Sequence, residues 1–159
     1  MIPPKEITMR YSKLVLMSLG LAAMLVAADP FVGTWKLDPA LSKFKTGAPP
    51  KEQTVTITEE GGDLHVVIRG TAAGGQPISA EYTVPEKGGA GKLISGPWEG
   101  LTEKRTNETQ RDLSYTKGGK VVYTVHLKVS PDGKSMTAAV KGTDPAGQKV
   151  DGTDVTKRQ

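Results

Sequence analysis

The sequence predicts an all-β fold, an antiparallel up-and-down meander of about 8–10 strands that closes into a barrel. Three observations predict it. Hydrophobic side chains alternate with period two over most of the chain after residue 28, helix signals there are nearly absent, and the alternating runs are joined by short Gly-containing connections. Connections that short leave no room for crossover helices, so neighbours in sequence become neighbours in the sheet. A single sheet of that many strands curls until its edges meet, and closure removes the exposed edges along which sheets aggregate. A two-sheet sandwich is the competing architecture.

Residues 1–28 read as an export signal, leaving residues 29–159 as one domain of 131 residues. Lys5, Arg10 and Lys13 form a basic region, Leu14 to Val26 is an apolar core of 13 residues, and Val26-Ala27-Ala28 supplies small side chains at the cut. Met9 is an alternative start, because MRYSKLVL already carries a complete basic region. An apolar core of that length falls short of the roughly 20 residues that anchor a helix in a bilayer. No second apolar stretch follows, so the mature chain is expected to have no membrane span and to reside in the periplasm or the medium, as a monomer.

The elements then follow in order. Phe31 to Leu37 opens the fold with a Gly-x-Trp strand, and Pro39 to Phe44 is the one helical candidate, a single turn capped by Asp38. Residues 52–60 place Val55 and Ile57 on one face and threonines on the other. Residues 63–70 place Leu64, Val66 and Ile68 together, and residues 76–84 do the same with Ile78, Ala80, Tyr82 and Val84. Lys92 to Ser95, Leu101 to Asn107, Arg111 to Thr116 and Asp151 to Arg158 are weaker strands. Residues 120–129 align Val121, Tyr123, Val125, Leu127 and Val129. The connections Glu60-Gly61-Gly62-Asp63, Ala73-Gly74-Gly75-Gln76, Lys117-Gly118-Gly119-Lys120, Pro131-Asp132-Gly133-Lys134 and Pro145-Ala146-Gly147-Gln148 each place Gly where a tight hairpin needs positive φ.

Composition narrows the function. The chain has no Cys, which removes disulfides, thiolate metal sites and a thioether lipid anchor, so stability rests on core burial. Without the leader, 18 basic residues face 16 acidic ones, and a net charge of +2 is no footprint for nucleic acid. Aromatics are few: Phe31, Trp35, Phe44, Tyr82, Trp98, Tyr115 and Tyr123. Several inward positions fall to Ala or Thr, which leaves open a thinly filled interior or a cavity.

Phe31-Val32-Gly33-Thr34-Trp35-Lys36-Leu37 resembles the first strand of the calycin superfamily, which includes the lipocalins and the intracellular fatty-acid-binding proteins. The resemblance implies that Gly33 bends the entering strand, that Trp35 plugs the closed end, and that Arg158 or Lys157 from the last strand caps the indole. The chain departs from fatty-acid-binding proteins in having no room for two helices after the first strand and no Arg-x-Tyr pair at its end. It is closer to a group of small exported bacterial lipocalin-like proteins. It resembles them in the DPFxGTWKL start, the strand entry at Gly119-Lys120-Val121-Val122, the hairpin from Ser130 to Thr137 and the turn Lys141-Gly142-Thr143-Asp144.

Sites for chemistry are scarce. His65 and His126 alternate onto the face opposite the apolar side chains and read as solvent-side residues; without Cys or His-x-His, no metal site is assigned. Glu59-Glu60, Glu86, Glu99 and Glu103 fall in or beside turns and read as solvated charges, with no spacing of a glycosidase pair. Asp132-Gly133 and Asp151-Gly152 lack the ligand ladder of a calcium loop; the first is a hairpin turn and the second marks a bulge. Gly88-Gly89-Ala90-Gly91-Lys92 lacks the spacing of a phosphate loop and reads as a flexible hairpin. No serine sits in a nucleophile elbow. The run Glu103 to Asn107 reads as a charged outer strand face.

No catalytic residue, metal ligand or cofactor is therefore assigned. The expected function is that of an exported, non-enzymatic barrel binding a small hydrophobic or amphiphilic molecule. Val66, Ile68, Tyr82, Leu113, Tyr123 and Leu127 would face the interior, Trp98 would stand at the mouth, and Gly33, Trp35 and Arg158 would form the plug. The alternative is an envelope or extracellular interaction module whose barrel is filled and whose loops meet another macromolecule.

Overall fold

The computed structural model describes residues 27–159. The expected leader lies outside the described residues except for its last two positions. Twelve strands follow: β1 (Gly33–Leu37), β2 (Lys43–Thr46), β3 (Glu52–Glu60), β4 (Asp63–Thr71), β5 (Pro77–Pro85), β6 (Gly89–Ala90), β7 (Lys92–Ser95), β8 (Gly100–Asn107), β9 (Gln110–Lys117), β10 (Lys120–Val129), β11 (Ser135–Thr143) and β12 (Lys149–Arg158). All pairings are antiparallel in one sheet of order β6-β8-β9-β10-β11-β12-β1-β3-β4-β5-β7, with β2 beside β12. Within β3 to β5 and within β8 to β12 each strand pairs with its successor in sequence, and β12 pairs back onto β1. The count exceeds the expected 8–10 because β2 and β6 are too short to show alternation.

The sheet is a nearly closed barrel. At one seam β1 meets β12, with Trp35 opposite Arg158 and Leu37 opposite Thr156. At the other seam one stretch is shared between two neighbours: Gly89 and Ala90 pair with β8, and Lys92, Leu93 and Ser95 with β5. The exchange happens at Gly91, whose N–H reaches Leu101 O at 2.9 Å. A Cβ at Gly91 would press on Leu101, the Thr83 carbonyl and Val84 at once, so only glycine fits where the two edges converge. The glycine-rich run 88–92 is thus the closing segment of the barrel rather than a flexible hairpin.

Other local expectations are modified by the fold. The helical candidate at Pro39 to Phe44 is a turn only: Leu41 and Ser42 donate to Asp38 O at 3.2 Å, Ala40 N donates to the Asp38 carboxylate at 3.1 Å, and Lys43 then starts β2. The chain leaves the helical path because β12 offers a free edge beyond Leu37, and backbone pairing there outweighs continuation of one short turn. Val121, expected inward, is 57% exposed. A bulge between Val121 and Tyr123 shifts the register and turns Val121 outward. The Gly61-Gly62 and Gly118-Gly119 hairpins have positive φ at both glycines, as a two-residue turn requires.

Strand alternation sends the turns at 61–62, 86–88, 108–109 and 130–134 to the end where the chain enters, and those at 72–76, 96–99, 118–119 and 144–148 to the opposite end. Trp35, 0% exposed, fills the entry end and donates its indole N–H to Phe31 O at 2.8 Å. Arg158 covers the ring at 4.1 Å and donates to the carbonyls of Pro30, Val32 and Gly133. The guanidinium thereby ties the first strand, the last strand and a hairpin together.

Gly33 holds φ at +143°, and a Cβ there would run into the Arg158 guanidinium. Gly33→Ala is expected to lower stability by about 2 kcal/mol through backbone strain and displacement of Arg158. Urea unfolding checks this; an unchanged midpoint would show that the chain can enter the barrel without the bend.

Candidate functional site

The interior side chains come from one phase of each strand. Val66 and Ile68 of β4, Tyr82 of β5, Leu113 of β9, and Tyr123 and Leu127 of β10 all border a single cavity, with Trp98 from the β7–β8 loop at its far end. The structure therefore brings together all seven residues selected from the sequence. The cavity volume is about 80 Å³, and its walls are largely aliphatic and aromatic.

Trp98 is 8% exposed. Its ring stacks on Tyr123 at 5.8 Å and 8°, and on Tyr115 at 4.1 Å. Tyr115 in turn donates a hydrogen bond to the Tyr82 hydroxyl at 2.9 Å. Burial pushes all three phenols up, so they stay protonated. Outside Trp98 lies a depression of about 480 Å³ that shares Trp98 and Pro145 with the cavity. The indole separates the interior from solvent. Its loop is held by Glu99, whose N–H donates to Thr116 O at 2.8 Å and whose carboxylate accepts from Gly118 N at 2.7 Å.

The entry end of the cavity carries a buried ionic cluster absent from the sequence expectations. Arg111 is 1% exposed and Glu103 4% exposed, and the two are ion-paired. Arg111 also pairs with Asp29 at 2.6 Å, and Arg105 reaches both Asp29 and Glu86 at 3.4 Å. The Arg111 guanidinium lies over the Phe31 ring at 5.0 Å. Glu103 is therefore no solvated turn charge, and the run 103–107 is no uniform outer face. Position 103 shares its phase with Leu101, so β8 carries it inward and leaves Lys104 outside. Burial raises the Glu103 carboxyl, with Arg111 pulling partly in the opposite direction.

At the other wall stands Asp154 of β12, 6% exposed, between Gly152 and Thr156 along the inward phase of the strand. Its Oδ1 has no hydrogen-bond partner, and neither has Arg111 Nε. Both residues border the cavity. Burial, followed by the charge of Asp144, pushes the Asp154 carboxyl up to about 7. The one sequence signal for these residues was phase: Arg111 alternates with Leu113 and Tyr115, and Asp154 with Val150 and Thr156.

Folding thus holds a proton on Asp154 that the unfolded chain releases near pH 4. The associated stability is fully present below that pH and is lost as pH rises through about 7. Asp154→Asn is expected to remove this decline, leaving the variant more stable than the parent at pH 8 by an amount of order 3 kcal/mol. Parallel stability curves from pH 4 to 8 would contradict it.

His65 and His126 lie on the outer surface. His65 bridges Glu60 and Glu81 at 3.1 and 3.0 Å, and His126 meets Asp112 at 2.6 Å. Glu81 is the main cause of a raised His65 pKa. Among the described residues no cluster of three or more His, Asp or Glu has metal-binding geometry.

No protein-family model, curated protein or solved structure matches the chain. Among the described residues no helix is long and apolar enough to cross a membrane.

Proposed function

We propose that this is an exported, non-enzymatic, lipocalin-like barrel that takes a small amphiphilic molecule into its interior. The observation that carries this reading is the interior cavity, whose aliphatic and aromatic walls are broken by unpartnered polar atoms on Arg111 and Asp154. Apolar walls with a few convergent polar groups are the usual make-up of a small-molecule site. Buried polar atoms without partners are rare in proteins and cost free energy unless something meets them. The calycin resemblance is supported by the meander order, the β1–β12 seam and the Trp35–Arg158 stack.

The volume limits the ligand. About 80 Å³ is smaller than the ~150 Å³ cavity known to admit benzene, so the closed form takes a molecule of only a few heavy atoms. A longer ligand would extend past Trp98 into the outer depression. The interaction-module alternative calls for an exposed apolar patch around Trp98, whereas that ring is packed on Tyr115 and Tyr123.

Native mass spectrometry of protein isolated from its own envelope fraction, together with 1-butanol titration followed by Trp fluorescence, tests the reading. A bound small molecule, or a saturable fluorescence change with 1-butanol, is expected. Ligand-free protein that also ignores 1-butanol would refute interior binding, and a product retaining residues 1–28 would refute export.

A further inference from the structure

The buried charges of the barrel do not balance. Among the described residues, Asp29, Glu103 and Asp154 are buried carboxylates, while Arg111 is the buried cation. Arg111 is already committed to Asp29 and Glu103, with partly buried Arg105 adding to that group. Asp154 has no ion pair among the described residues, and the charge that acts on it, Asp144, is another acid. Its Oδ1 is unpartnered at the cavity wall.

Across the same cavity stand the rings of Trp98, Tyr115 and Tyr123, packed as one cluster. Aromatic faces carry negative quadrupole charge and attract cations, most strongly where water is excluded. A metal ion would need several oxygen ligands, which one unpaired carboxylate does not supply, the other carboxylate of the cavity, Glu103, being paired with Arg111. An anion would meet uncompensated Asp154, and an uncharged apolar molecule would leave its Oδ1 unsatisfied. An organic ammonium satisfies both requirements, pairing its N–H with the carboxylate and its CH groups with the rings.

We propose that the interior is a site for a small organic ammonium ion, held by the Asp154 carboxylate against the aromatic cluster of Trp98, Tyr115 and Tyr123. The inference rests on the interior-binding reading and names the ligand class for it. A chain of about four carbons fits the enclosed volume, and a longer substituent would pass Trp98 into the outer depression.

The experiment compares butylammonium, 1-butanol and butyrate, which share an apolar chain and differ in charge, by ligand-observed NMR at pH 8 on the parent and on Asp154→Asn. Near-ultraviolet circular dichroism verifies that the variant keeps its packed aromatics. Butylammonium is expected to bind at least tenfold more tightly than either analogue, and Asp154→Asn to abolish that preference. If 1-butanol binds but the ammonium is not preferred, or if the preference survives in Asp154→Asn, the ammonium site is overturned and the apolar site stands. If none of the three molecules binds, both fall.

Discussion

Arg111→Ala is expected to destabilise the barrel by about 3–5 kcal/mol, the cost of leaving buried acids without their cation. The guanidinium is 1% exposed, pairs with Asp29 and Glu103, and covers Phe31. Its loss strands Glu103, leaves Asp29 to the more distant Arg105, and uncovers an aromatic ring in one step. Thermal unfolding of the variant should shift downward by roughly 10 °C or more. Replacing the network as a whole, with Arg111→Met, Asp29→Asn and Glu103→Gln together, should recover much of the loss, because the penalty comes from unpaired charge rather than from the missing attraction. A single variant that melts like the parent, or a triple variant worse than the single one, would show that the cluster is not energetically coupled.

Trp35→Ala should cost about 3–5 kcal/mol for a different reason, the cavity left when a fully buried indole is removed. The ring is 0% exposed, donates to Phe31 O, and carries Arg158 on its outer face. Truncation removes the filling of the entry end and the surface on which Arg158 lies, so the β1–β12 seam should be the first region to exchange amide protons. Trp35→Phe keeps most of the volume and should lose markedly less. A melting temperature for Trp35→Ala within a few degrees of the parent would mean that barrel closure does not depend on the plug.

The two expectations differ in how visible their residues were beforehand. Trp35 and Arg158 could be named because the Gly-x-Trp strand resembles the first strand of the calycins, and that resemblance implies an indole plug capped by a cation from the last strand. Val66, Tyr82, Leu113 and Tyr123 could be named because an apolar residue in an alternating strand faces the interior whatever its neighbours are. Arg111, Glu103 and Asp154 obey the same alternation, but nothing local marks their charges as buried, and Glu103 reads from the sequence as a solvated turn charge. A charge in an inward phase is costly unless partnered, and the partner of Arg111 is Asp29, 82 residues away. No local pattern carries that pairing. Val121 failed for the opposite reason: a one-residue bulge against β9 reversed its face, and bulges depend on the partner strand.

By itself, then, the order of residues determined the all-β class, the meander and the face of most side chains, because short Gly turns and period-two alternation act between near neighbours. Only the tertiary structure decided how the last gap closes, through the shared segment at Gly91, and where charge is buried. Both depend on residues far apart in the chain converging on one small volume. Inside it, Arg111 found its acids, and Asp154 faces the cavity without a cation.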